Sequence, residues 1–207
     1  RPTLMNRRKK PSNMVVLHGS RSLTPHRLGR IVNNKQHERL GRAANFPVFL
    51  PWGDWESYYF APNGGFENGA ANWSLSGGAQ VVTQDNEPWF LAGFGSHALS
   101  IPTGGSASIN VCFGLTYPAV RFFAAGSNGD ARIHVRVVSR SLLGVLSVLD
   151  GGTFTAGSKW QPSPKISTLF SALGAPLGSK TMQLQFTVES GTAQIDDLFV
   201  DPFLLKS

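Results

Sequence analysis

Two stretches of strict alternation constrain this chain more than anything else in it. Over residues 132–138, Ile133, Val135 and Val137 alternate with Arg132, His134 and Arg136. Over residues 181–188, Met182, Leu184, Phe186 and Val188 alternate with Thr181, Gln183, Gln185 and Thr187. Successive side chains of a β-strand point to opposite faces, so each stretch reads as a strand with one dry and one wet face. Shorter strand candidates lie at 73–75, 79–83, 97–101, 106–111 and 120–125. Gly77-Gly78 and Gly104-Gly105 separate some of these, and such glycine pairs are expected to close hairpins. Residues 142–149 are more continuously apolar, and Asp150-Gly151-Gly152 is expected to end that strand. Residues 165–173 offer the body a short helix or a loop. Roughly ten short strands with almost no helical periodicity predict an all-β fold, an antiparallel jelly-roll β-sandwich. Doubly wound α/β folds are excluded, and the lack of a long repeat argues against a solenoid or propeller.

The charge is segregated. Residues 1–45 hold eleven Lys and Arg against the single acid Glu38, a net of +10, whereas the other 162 residues hold eight basic and eleven acidic ones, a net of −3. That basic segment has few groups able to bury apolar surface, so it reads as a largely irregular arm, with one possible helix start at Thr24-Pro25. Arg7-Arg8-Lys9-Lys10 suits nucleic-acid phosphates or an anionic surface, but no aromatic residues interleave with it for base stacking. The division expected is an arm over 1–45 and a sandwich over 46–207. Residues 46–60 are dense in rings and carry two prolines, which predicts an extended lead-in packed across the sandwich. No apolar run reaches the length of a membrane span or a signal-peptide core.

Two motifs sharpen the fold. Asn63-Gly64-Gly65-Phe66-Glu67-Asn68-Gly69 is followed by Trp73, and Gln194-Ile195-Asp196-Asp197-Leu198-Phe199-Val200-Asp201 closes the body. This pairing resembles jelly-roll carbohydrate-binding modules and galactose-binding-like domains, a likeness that covers roughly residues 60–203. It implies that the first and last strands lie side by side with a structural Ca2+ between them. Glu67, Asp196 and Asp197 are the metal-ligand candidates, completed by carbonyls of residues 63–69, because a hard cation gathers about six to eight oxygens. Adjacent aspartates on a strand point to opposite faces, so one of the two is expected inward. The alternative is that these acids are solvated edge charges.

A nearer resemblance is to uncharacterised secreted proteins of actinobacteria. It is carried by Pro51-Trp52-Gly53-Asp54, Trp73-Ser74-Leu75-Ser76-Gly77-Gly78-Ala79, Asn86-Glu87-Pro88, Ser96-His97-Ala98-Leu99-Ser100, Arg121-Phe122-Phe123-Ala124 and the closing block through Asp201-Pro202-Phe203. It implies an extracellular or cell-surface location and supplies no activity. This chain departs from that pattern in its basic arm and in lacking a second, upstream cysteine.

Flat rings stack on sugars while polar neighbours bond the hydroxyls. Trp52, Trp55, Tyr58, Tyr59, Trp89 and Trp160 are therefore candidate ligand contacts, with Asp54, Asn86 and Glu87 as polar partners; Trp73, Phe122 and Phe123 read as core. Catalytic signatures are absent: there is no G-x-S-x-G, Walker A, H-E-x-x-H or EF-hand pattern. Asp85 with Glu87, or Asp196 with Asp197, would serve a glycosidase only across a cleft. Cys112 reads as a buried, inert thiol. The resulting expectation is a non-catalytic binding module for a polysaccharide or cell-surface glycan. The alternative is a structural or assembly protein of shell or surface-layer type, whose basic arm binds neighbours or nucleic acid.

Overall fold

The computed structural model describes residues 47–83, 87–89, 95–113, 119–140, 146–168 and 180–201. The arm, the candidate helix start at Thr24-Pro25, residues 169–173, Asp85, Asn86 and the side chain of Cys112 lie outside the described set.

Among the described residues twelve strands form two sheets, and every pairing is antiparallel. They are β1 (Tyr59–Phe60), β2 (Trp73–Ser76), β3 (Gln80–Thr83), β4 (His97–Pro102), β5 (Ser106–Phe113), β6 (Ala119–Gly126), β7 (Ala131–Arg140), β8 (Leu146–Ala156), β9 (Gln161–Pro162), β10 (Ile166–Ser167), β11 (Lys180–Ser190) and β12 (Thr192–Asp201). One sheet runs β2-β5-β11-β7-β8; the other runs β10-β6-β12-β4-β3, with β1 added beside β12 and β9 beside β6. Between the sheets lie Phe66, Trp73, Leu99, Ile109, Phe122, Ile133, Val135, Leu184, Phe186 and Ile195. The two alternating stretches are β7 and β11, paired to each other, and their dry faces line this core as their pattern requires.

The glycine pairs do not close hairpins. β2 pairs with β5 and β3 with β4, so Gly77-Gly78 carries the chain from one layer to the other; Gly104-Gly105, between β4 and β5, does the same. Both reversals are tight, and they pack on each other: a side chain at Gly77 would stand 2.8 Å from the Gly105 Cα. A local glycine signal specifies a reversal, not the layer to which the next strand returns. Asp150-Gly151-Gly152 likewise does not end its strand. It forms a bulge inside β8 opposite Val135 and Arg136, with Gly152 at φ +89°.

Nearly every residue of β6 and β12 is buried, because both faces of these central strands are covered. Phe122 enters the main core, while its neighbour Phe123 joins Val48, Phe49, Tyr58 and Phe199 in a second cluster. The lead-in over 47–60 thus roofs the outer side of the seven-stranded sheet, as its ring density predicts. No helix among the described residues is long and apolar enough to cross a membrane.

Candidate functional site

The NGGFE segment lies against the closing strand. The Ala61 N–H donates to the Leu198 carbonyl, and the Leu198 N–H donates to the Gly64 carbonyl, at 2.9 and 3.1 Å. Gly64 is required by this approach, since a Cβ there would sit 2.8 Å from the Leu198 oxygen. Asn63 winds the loop around its own side chain. Its Nδ2 donates to the carbonyls of Gly69 and Ala71, its Oδ1 accepts from the Asn68 N–H, and its carbonyl accepts from Trp73 Nε1.

At this junction the alternation of β12 breaks. A register shift falls between Asp196 and Phe199, and Asp197 takes φ +46°. The bulge turns both aspartates into the protein, and both are fully buried. The expectation that one would point outward is corrected by this bulge, which cancels the period of two. Asp196 is satisfied: its Oδ2 accepts from the Glu87 N–H at 3.1 Å and its Oδ1 from the Asp197 N–H at 2.8 Å. Glu67, expected as a metal ligand, is used elsewhere. Its carboxylate accepts from the Ser96 and His97 N–H groups at 2.7 and 3.0 Å and contacts His97 Nδ1 at 3.0 Å, fixing the start of β4. Carbonyls of Asn63, Gly64, Phe66, Asn68 and Gly69 already accept hydrogen bonds within the loop or from Leu198.

Asp197 is the exception. Neither of its oxygens has a hydrogen-bond partner, and the charges acting on it, from Asp196, Glu87 and Glu67, are all negative. Burial first, then those charges, pushes its carboxyl well above the usual carboxylate range; burial does the same to Asp196. Glu87, buried in the segment between β3 and β4, lies close enough to share a proton with Asp197 when one of the two is neutral. Among the described residues no three His, Cys, Asp or Glu side chains meet as a ready-made ligand set. A hard cation here would therefore rest on Asp197 and Glu87, with backbone oxygens and water completing its shell. The donor chemistry fits, and an orphaned buried carboxylate is the defect such an ion corrects.

The aromatic candidates divide. Tyr58 is fully buried and its hydroxyl donates to Asp54 Oδ2 at 2.7 Å, so it presents no ring face to a ligand. Trp89 and Trp160 are half-buried against the second core, Trp89 edge-on to Trp52 with ring centroids 5.1 Å apart. Trp52 is 36% and Trp55 76% exposed. Asp54 also accepts from Arg121 Nη1 at 2.7 Å, and that guanidinium donates twice to the Ser163 carbonyl and stacks 4.2 Å over the Phe49 ring. Burial opposes ionisation of Asp54, but hydrogen bonds from Tyr58, Arg121 and the Glu56 N–H outweigh it and hold the carboxyl below its usual range. The stabilisation is therefore present at neutral pH and is lost as the pH falls below about 4. Asp54→Asn is expected to cost about 1–3 kcal/mol at pH 7. In acid melts the gap between variant and wild type should close below pH 4; a gap independent of pH would contradict this assignment.

The outer face of the five-stranded sheet is polar. Register places its side chains in rows across the strands: Ser76, Ser106, Thr187 and His134 in one, and Ser74, Ser108, Gln185, Arg136 and Asp150 in the next. A third row runs Asn110, Gln183, Val138 and Val148. Gln185 Nε2 donates to Gln183 Oε1 at 2.6 Å. His134 Nε2 meets Asp150 Oδ1 at 2.8 Å, and Arg132 pairs with Glu189 at 2.8 Å. The Gly152 N–H, then His134, holds Asp150 below its usual range. Val148 and Leu146, each 54% exposed, give one end of β8 an apolar character.

No family model matches the chain, and no curated protein does. Solved structures do. The CBM22-1–GH10 modules of the N-terminal endo-1,4-β-D-xylanase 10B of Clostridium thermocellum, complexed with xylohexaose, align at TM-score 0.52 and 14% identity, over 67% of this chain and 27% of that one. The architecture shared is the jelly roll. The CBM22-1 xylan-binding domain of Paenibacillus barcinonensis Xyn10C aligns at TM-score 0.49 and 13% identity over 66% of this chain and 90% of that one. TmCBM61, in complex with β-1,4-galactotriose, aligns at 0.41 and 18% over 69% and 97%. Within this jelly roll, neither Glu87 beside Asp197 nor the rows around Gln183 and Gln185 were singled out by spacing. Glu87 stands 109 residues from Asp196 in sequence, and the two glutamines signalled only a wet strand face.

Proposed function

We propose that this chain is a non-catalytic polysaccharide-binding module, acting outside the cell or at its surface, that holds its glycan on the outer face of the five-stranded sheet. The observation that carries the reading is the set of transverse rows around Gln183, Gln185, Asn110 and Arg136. Sugar hydroxyls both donate and accept, and side-chain amides offer both functions from one group, while Val138 and Val148 can cover C–H surface. That a module of the same fold stands in a xylanase structure complexed with xylohexaose supports the reading. The carboxylates argue for binding without hydrolysis. Asp150 is held ionised and so cannot serve as the protonated acid of a glycosidase, and Glu87 and Asp197 are sealed from solvent. The assembly alternative rests on the arm, which lies outside the described residues.

Within this reading a Ca2+ ion on Asp197 and Glu87 clamps the closing strand to the segment before β4, as a structural rather than a ligand-contacting metal. A second reading of the glycan site, on the opposite sheet, is favoured by the exposure of Trp55 and, to a lesser degree, Trp52. Affinity electrophoresis of the full chain against xylan, galactan and mixed-linked glucan separates the two. Retardation on at least one polymer is expected, with Gln183→Ala/Gln185→Ala weakening it at least tenfold and leaving the melting temperature unchanged. Retardation lost in Trp55→Ala but kept in the glutamine variant would move the site to the other sheet, and silence on every polymer, with an acidic glucuronoxylan and a polygalacturonate run beside the three, would end the binding-module reading.

A further inference from the structure

Arg136 stands in the middle row of the proposed face, between Gln185 on β11 and Asp150 on β8. Its surroundings are unusual for their charge bookkeeping. The other ionisable side chains described on this face are engaged: Arg132 with Glu189, and His134 with Asp150 at 2.8 Å and with Glu189 at 3.8 Å. Asp150, across the β8 bulge from Arg136, has its Oδ1 committed to His134 Nε2 and to the Gly152 N–H at 2.8 Å. Among the described residues no carboxylate lies within ion-pair distance of the Arg136 guanidinium and no hydrogen bond occupies it; its charge acts on Asp150 only as a minor influence, behind the Gly152 N–H and His134. Arg121, on the opposite sheet, shows the contrast: its Nε, Nη1 and Nη2 each donate, to Ser163, Asp54 and Ser163 respectively, and its face lies over the Phe49 ring.

An exposed arginine with every donor uncommitted is ordinary where it faces bulk water. Here its register neighbours are the amide of Gln185 on one side and, on the other, the carboxylate of Asp150, whose Oδ1 is already taken by His134 and the Gly152 N–H. Guanidinium is a rigid planar fork whose paired N–H groups match the two oxygens of a carboxylate, a fit that a neutral hydroxyl cannot use fully. Gln185, adjacent in the same row, can accept from or donate to the hydroxyls flanking such a carboxylate. We infer that the face recognises a carboxylate-bearing glycan, with the carboxylate of a uronic acid residue seated on Arg136 and Gln185 beside it. This rests on the polysaccharide-binding reading above and narrows its substrate class from neutral to acidic chains.

The test is calorimetric titration of the full chain with matched oligosaccharides: xylo-oligosaccharides with and without a glucuronic acid branch, and oligogalacturonates with free or methyl-esterified carboxyls. Wild type should bind the free-acid member of at least one pair about tenfold tighter or more, as a charge-assisted pair predicts. Arg136→Gln should erase that preference, so that the two members of each pair bind alike, and Arg136→Lys should restore only part of it, since an ammonium lacks the fork. Equal affinities within every pair in wild type would overturn the inference and leave the binding-module reading standing. A preference for acid that survives Arg136→Gln and disappears in high salt would assign it to the basic arm and overturn the inference equally. Binding to no member of either pair, nor to any neutral polymer, would instead be the failure of the underlying reading.

Discussion

Calcium is expected to raise the melting temperature of the chelator-treated protein by roughly 5–15 °C. At a hundred to a thousand times its dissociation constant, a ligand of the folded state alone adds about 3–4 kcal/mol. In a chain of this size each kilocalorie moves the midpoint by about 2–4 °C. The effect is sited at Asp197, whose two oxygens are buried without a donor amid other carboxylates. Substitution gives the prediction opposite signs under two conditions. Asp197→Asn removes a carboxyl whose ionisation burial and the neighbouring carboxylates oppose in the apo protein, so in chelator it should melt at or above the wild-type temperature; in calcium it should melt below wild type, because the ion has lost its principal ligand. Glu67→Gln should lower stability under both conditions alike, since Glu67 fixes Ser96 and His97. Identical wild-type melts in calcium and in chelator would remove the ion from this structure and leave a proton shared between Asp197 and Glu87.

The contrast between Asp197 and Glu67 shows how far the sequence could be read. The alternation of 132–138 and 181–188 states directly which side chains are dry, so the sandwich and its two longest paired strands were legible from period alone. The meeting of the NGGFE loop with the closing strand was implied only by the resemblance to jelly-roll modules, whereas the lead-in was legible from its rings, which have too much apolar area to stay in water. Connectivity was not legible, because glycine permits a reversal without choosing the partner sheet. The roles of the acids were not legible either. The β12 bulge that turns Asp197 inward depends on the backbone of Gly64 and Ala61 approaching Leu198, and Glu87 reaches it only through the fold. Tyr58 was misread as a ligand contact because exposure is decided by Phe49, Phe123 and Phe199 closing over it, which no pattern within 46–60 encodes.

Phe49→Ala is expected to lower stability by about 3–5 kcal/mol, the cost of emptying a buried ring site, and the melting temperature by roughly 10–15 °C. Phe49 is fully buried and is the hub of the second core, with ring centroids of Tyr58, Phe123 and Phe199 at 5.1, 5.2 and 5.6 Å and the Arg121 guanidinium over its face. Removing it takes away both the packing partner of three rings and the cover of a charged group. Phe49→Leu, which keeps most of the volume, should recover much of the loss. A melting temperature within 2 °C of wild type in Phe49→Ala would mean that the lead-in is not part of the cooperative unit. The position of this roof makes the experiment informative beyond stability. It lies on the outer side of the sheet opposite the proposed glycan face, so a folded Phe49→Ala protein should retain its polysaccharide affinity at temperatures well below its melt. It also lies on β12, where Phe199 stands two residues past Asp197. If the roof is what holds the bulge in register, the calcium-induced rise in melting temperature will shrink in Phe49→Ala while glycan binding does not, and the two faces of the sandwich will be separated by a single substitution.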